Sequence, residues 1–436
     1  MKKRGFMFAF LAGAVLLFAN AGAEAADYGY ISITNPSFNK TPIAVPVFKA
    51  TGGQNNELAM AVKGADILAD TLDFTGYFAI IDRNKYLFDP QRDGVSPSDI
   101  NYGNWTVIGA ELLVTGAVTT FDGLIEVELR LMDTYKNGML LGKRYKGTVD
   151  DYRDMIRRFC NEIILLLTGE EGIFDSRIAF LSTGTGNKEI YICEFDGYEP
   201  KPFTRNNSIT LFPAWSSDGK WMAYTSYKHG KPDLFIRNIQ GDRESVVSKN
   251  GINTTPAWVP GSLELAATLS FSGDQEIYLL TKDGKIIRRL TNNKGIDSSP
   301  TFSPDGRRMA FVSKRAGTPQ IFIMDMNSGI SKRLTYSGRY NTQPNWSPAG
   351  DKIAYTAMNG GSTNIVVINA DGSGQTQLTN SRGYDESPSW SPDGSLIAFS
   401  STREGSSRIY VMTARGTDPK RLLSISGEQT NPKWSP

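Results

Sequence analysis

Residues able to carry chemistry are sparse in this chain. It has one histidine, His229, set between Lys228 and Gly230 in a polar stretch. A Ser-His-Asp or Cys-His arrangement would have to use it. No Gly-x-Ser-x-Gly elbow is present, and neither is a paired-histidine zinc motif or a Cys-x-x-Cys. The runs Gly184-Thr185-Gly186 and Gly372-Ser373-Gly374 lack the rest of a phosphate loop and fit turns. Asp297 and Asp385 each stand three residues before a Pro-x-aromatic triplet. There they are placed either to hold a cation at a channel mouth or, more simply, as solvated loop acids. No catalytic residue, cofactor or resident metal is implied, and the chain reads as a non-enzyme.

The elements that would position any site are set by that triplet. It occurs as Pro213-Ala214-Trp215, Pro256-Ala257-Trp258, Pro300-Thr301-Phe302, Pro344-Asn345-Trp346, Pro388-Ser389-Trp390 and Pro432-Lys433-Trp434, in steps of 43 and then 44 residues. A fixed period of this length with strand-like content is the signature of a propeller blade. In one unit, Trp390 leads into Ser391-Pro392-Asp393-Gly394, which suits a type I turn. The apolar runs Leu396–Ser400 and Ile409–Met412 and the short Arg421–Leu423 follow as strands. The chain reaches Trp434-Ser435-Pro436 in mid-unit, and Asp175–Leu181, Ile190–Cys193 and Lys201–Thr204 supply what is missing. The ring is therefore expected to close through one composite blade, shared between 173–205 and 430–436, with no edge left open.

Residues 42–168 show no repeat and read as a small α/β domain. Strands are expected at 43–48, 77–81, 112–118, 125–131 and 139–145. One helix face carries Leu58, Met60, Ala61, Ala65, Leu68 and Leu72, and a closing helix carries Tyr152, Met155, Ile156, Phe159, Ile163 and Leu166. Residues 169–172 link it to the propeller at 173–436. The fold class is thus two-domain: a small N-terminal α/β domain followed by an all-β six-bladed β-propeller.

The chain opens with Met1-Lys2-Lys3-Arg4, an apolar run from Phe6 to Phe18, and small residues to Ala26. This is the pattern of a signal peptide over 1–25, cleaved near residue 25, with a tail at 26–41. Removing it takes away Lys2, Lys3, Arg4 and Glu24, leaving 44 basic and 44 acidic residues. A balance near zero does not favour nucleic acid, and no later segment is long and apolar enough to span a membrane. The two cysteines, Cys160 and Cys193, fall in different domains and read as buried thiols rather than a disulfide framework.

The residues alone leave three readings. A protein–protein adaptor needs no chemistry. A catalytic propeller of the peptidase kind needs a hydrolase domain, and one of the metal-lyase kind needs several channel histidines. The third is capture of a small ligand or sugar at the channel mouth.

An exported chain with a small α/β domain and six Pro-x-Trp-Ser-Pro-Asp-Gly-type units, ending in Trp-Ser-Pro, resembles the TolB family over essentially the whole mature chain. These are periplasmic components of the Tol-Pal envelope system of Gram-negative bacteria. The resemblance implies binding of the lipoprotein Pal by the propeller and of TolA by the mature N-terminus, supporting outer-membrane integrity and cell division, with the protein itself a monomer. Carried over, the Pal face would be built by the loops entering the Pro-x-aromatic strands: Asn253, Thr254 and Thr255; Asp297, Ser298 and Ser299; Tyr340, Asn341, Thr342 and Gln343; Asp385, Glu386 and Ser387. The TolA segment would be Asp27, Tyr28, Gly29, Tyr30, Ile31, Ser32, Ile33, Thr34 and Asn35.

Overall fold

The structure, a computed structural model, describes residues 40–53, 56–241 and 243–436. The expected signal segment and the segment Asp27–Asn35 lie outside them.

The first domain is one sheet of six strands: β1 (Thr41–Ala44), β2 (Lys49–Ala50), β3 (Phe78–Ile80), β4 (Leu112–Phe121), β5 (Leu124–Asp133) and β6 (Gly138–Thr148). β1 lies parallel between β3 and β4, β2 pairs parallel with β4, and β4, β5 and β6 form an antiparallel meander. The strand expected over 43–48 ends at Ala44. Pro46 has no N–H for a ladder, and the Val45 N–H donates instead to Tyr86 Oη at 3.0 Å.

The helices Glu57–Phe74 and Tyr152–Thr168 meet where Tyr152 Oη donates to the Met60 carbonyl at 2.9 Å. The first buries Ala61, Ala65, Leu68 and Leu72, but Leu58 is 54% exposed. The helix turns its other edge inward at its start, and Glu57 is buried there. Its carboxylate accepts from the N–H groups of Gly52, Gly53 and Thr120 at 2.7, 2.8 and 2.6 Å. Burial alone would raise the Glu57 pKa; these bonds outweigh burial and hold it below the usual carboxylate range.

Six four-stranded antiparallel sheets make the propeller. Five are sequential, with inner strands Thr210–Trp215, Asn253–Trp258, Asp297–Phe302, Tyr340–Trp346 and Asp385–Trp390 (blades 1 to 5). In the closing blade the inner strand Gln429–Trp434 pairs antiparallel with Arg177–Ser182. The junction is bolted by a turn made across the chain. The Arg177 N–H donates to Ser435 Oγ at 2.9 Å and the Ser435 N–H to the Arg177 carbonyl at 2.7 Å. Ser216, Ser303, Ser347 and Ser391 make the same hydroxyl bond within their own turns, to Trp221, Arg308, Lys352 and Leu396. In five of the six turns the serine that follows the aromatic residue is thus the clamp; in blade 2 Val259 stands there.

Core residues lie between blades. Ala223, Leu234 and Ile236 of blade 1 pack on Trp258, Leu265 and Tyr278 of blade 2, and the pattern repeats round the ring. Burying a large side chain this way is worth about 1.5–3 kcal/mol. At the closing blade the interblade core continues through Phe174 and Phe195 into the first domain, where Phe74 meets Phe195 edge-on with centroids 5.2 Å apart. Arg157 pairs with Glu194 at 2.6 Å, and Arg153 reaches Glu194 at 3.0 Å and Asp196. Both cysteines are free and buried in this region.

Candidate partner-binding face and channel

The first domain touches one end of the ring. Tyr77 Oη donates to Asp393 Oδ2 at 3.4 Å in the turn after an inner strand, and Lys40 pairs with Asp418 at 3.0 Å in an outer turn. These contacts border a cleft of about 770 Å³ between domain and propeller. Strands alternate in direction, so the loops entering the inner strands open at the opposite end, which the described residues of the first domain leave free.

On that free end each inner strand carries an identical distortion. Phe212, Thr255, Ser299, Gln343, Ser387 and Asn431 have φ between 45° and 58°. Each precedes the proline of its triplet, which disfavours the right-handed helical region for it, and the pairing register breaks there in every blade. Left-handed backbone at a non-glycine residue costs about 1–2 kcal/mol. The bulges answer one another round the axis. The Ser299 N–H donates to Thr255 Oγ1 at 3.3 Å, the Ser387 N–H to Gln343 Oε1 at 3.0 Å, and Asn431 Nδ2 to Ser387 Oγ at 3.0 Å. Thr255 and Gln343 are further fixed by Thr268 and Thr356 at 2.7 and 2.8 Å.

This ring gathers the sequence-derived candidates and divides them. Thr254, Thr255, Ser298, Ser299, Tyr340, Thr342, Gln343 and Glu386 are half-buried at the mouth. Asn253, Asp297, Asn341 and Asp385 are fully buried, and Ser387 is buried too. Asp297 and Asp385 are therefore not solvated loop acids. Each begins an inner strand and is closed off by an arginine 18 residues later, Arg315 at 2.6 Å and Arg403 at 3.3 Å. Arg315 stacks on Phe311 and Phe322, and Arg403 on Phe399 and Tyr410. Burial pushes the Asp297 carboxyl above its usual pKa despite Arg315. With each acid matched by its own guanidinium in a separate blade, the pair does not form a cation site. Among the described residues no group of three or more His, Cys, Asp or Glu comes together to hold a metal. Asn253 and Asn341 tie down the loops before them, through Lys249 and Ser337 carbonyls at 2.9 and 2.7 Å.

Sequence reasoning missed the charge of this end. Arg205, Lys249, Lys294, Arg339 and Arg382, one in each of five entering loops, are all exposed; the sixth loop carries Glu428. The signal was available, since these residues recur at nearly the blade period. His229 sits on the same end, exposed, with Nδ1 3.5 Å from the buried Asp233, which Lys231 also pairs.

Fold and face together define a two-domain propeller protein: a closed ring, bolted at one end to an α/β domain and open at the other. Comparison with known proteins agrees. Residues 165–436 match the model of the TolB beta propeller domain and residues 29–140 that of the TolB amino-terminal domain. The chain belongs to the TolB family. It is 62% identical over 268 residues to the Tol-Pal system protein TolB of Desulfosudis oleivorans, and the match spans 62% of this chain and 61% of that relative. It is 45% identical over 278 residues to the TolB homolog of Chlorobaculum tepidum, spanning 63% and 62% of the two chains. The crystal structure of TolB from Acinetobacter baumannii superposes with a TM-score of 0.79 at 26% identity, covering 91% of this chain and 97% of the other. No helix of the described residues is long and apolar enough to cross a membrane.

Proposed function

We propose that this protein is a non-catalytic periplasmic adaptor of the Tol-Pal system. In this reading it binds the lipoprotein Pal through the free end of the propeller and TolA through Asp27–Asn35, coupling the two membranes during division. The observation that carries it is the free mouth: a pre-organised polar ring inside a rim with five exposed basic residues. A rigid ring pays little ordering cost on binding, and a basic rim steers an acidic partner. The chain enters the described structure at Lys40, on the domain side. Any coupling between the two sites requires different affinities for two states of the protein.

The test is calorimetry of residues 27–436 against the periplasmic domain of Pal from the same organism. Saturable one-to-one binding is expected, weakened by Thr255→Trp or Ser299→Trp and made less salt-sensitive by Lys294→Glu with Arg339→Glu. Absence of binding by the folded protein would overturn the Pal assignment. Unchanged Pal affinity after deletion of residues 27–35 would overturn the coupling.

A further inference from the structure

The domain-side half of the central channel is a cavity of about 300 Å³, lined by residues of all six triplets and of the turns that follow them. Its wall includes the middle residue of every triplet: Ala214, Ala257, Thr301, Asn345, Ser389 and Lys433. Lys433 bears the one charged side chain among these lining residues.

In three blades the middle side chain feeds the next blade. Thr301 Oγ1 accepts from the Trp346 N–H at 3.4 Å, Asn345 Oδ1 from Trp390 at 2.9 Å and Ser389 Oγ from Trp434 at 3.0 Å. At the closing blade the position is Lys433, whose neighbour Trp215 donates its indole N–H to the Lys433 carbonyl at 3.0 Å. An ammonium only donates, so this junction, like those after Ala214 and Ala257, lacks the side-chain acceptor that the other three contain, and it alone puts a charge on the wall.

The Lys433 ammonium makes no hydrogen bond or ion pair among the described residues. The acids of the nearby turns are engaged elsewhere: Asp218, Asp305, Asp351 and Asp393 bond the serines of their own turns at 2.5, 2.5, 2.9 and 2.5 Å. Thr301 and Ser389 accept from N–H groups, and their own O–H groups remain to donate.

We propose that this cavity binds a small oxyanion, a carboxylate or phosphate from solution, at Lys433. The cavity presents an ammonium with no partner among the described residues beside the Thr301 and Ser389 hydroxyls, and an anion supplies the partner that ammonium lacks. Desolvation lowers the Lys433 pKa to about 8, which a bound anion would reverse.

The proposal stands apart from the Pal assignment and is tested without a partner. Acetate, and separately phosphate, are titrated into residues 27–436 carrying isotope-labelled lysine, at constant ionic strength. The Lys433 side-chain resonance is expected to shift saturably and its pKa to rise. Affinity should weaken about tenfold for each pH unit above about 8, because only the ammonium form binds. Lys433→Ala, the residue blades 1 and 2 carry at this position, should abolish saturation, and Lys433→Arg should retain it. A linear response of the Lys433 signal to both anions, or equal binding by Lys433→Ala, would overturn the proposal.

Discussion

A tryptophan-to-phenylalanine scan round the ring separates two roles of the repeated aromatic residue. In blades 1, 2 and 5 the indole N–H of Trp215, Trp258 and Trp390 donates to the inner-edge carbonyl of the preceding blade at 3.0, 3.1 and 3.2 Å. Trp434 donates to Ser176 Oγ at 2.7 Å, across the closing junction. Trp346 differs: its Nε1 is buried with no acceptor among the described residues. Blade 3 already carries Phe302 at this position. Losing a bonded N–H strands a buried acceptor and costs about 1–2 kcal/mol, and the smaller ring leaves a void worth about 1 kcal/mol more. Trp215→Phe, Trp258→Phe, Trp390→Phe and Trp434→Phe should each cost about 2–3 kcal/mol. Trp346→Phe pays the void and a weaker stack with Arg308, whose guanidinium lies 4.9 Å from the ring centroid. It is relieved of an unpaired buried donor worth about 1–3 kcal/mol, so its net change should lie near zero. At about 2–4 °C per kcal/mol for a unit of this size, calorimetric melting should separate Trp346→Phe from the other four by several degrees. Should it melt with them, the interblade bond is not what the tryptophan contributes.

Arg315→Met removes the partner of the buried Asp297 and should destabilise the propeller by about 3–5 kcal/mol at pH 7. The Asp297 pKa is already raised by burial, so the protonated form is the one the fold favours. The deficit should therefore shrink as pH falls toward 5 and grow as it rises, and Asp297→Asn should rescue the variant; urea midpoints at pH 5 and 8 check both. Burial pushes the thiol pKa values of Cys160 and Cys193 well above the ordinary range. Neither should react with iodoacetamide in the native protein and both should react in urea, as read by mass spectrometry.

The ring was legible because its signal is redundant. One triplet would have meant nothing, but six at a fixed step name the inner strand, and the serine after five of them marks the turn. The first domain had no such redundancy, so its details went astray where a single residue decided them: Pro46 ended a strand, and Glu57 displaced Leu58 from the buried side of its helix. Asp297 and Asp385 were misread for a related reason. Their place at the start of an inner strand was visible, but the guanidinium that closes each off lies on the next strand's exit loop, 18 residues away. Nothing local announces that partner; only the equal spacing in two blades does.

That contrast gives repeated positions a particular value in this fold. Where all blades agree, as at the left-handed residue before each proline, the residue is explained by ring geometry whatever its side chain. Where one blade departs, geometry is satisfied in its siblings by something the odd residue cannot supply. Phe302 departs harmlessly, because dropping an indole N–H creates no new demand. Lys433 does not, because it replaces small neutral residues with an ammonium facing a cavity. The face proposed to take a protein partner is built from features most blades share, and the proposed anion site sits at a blade position whose side chain breaks the pattern with a charge.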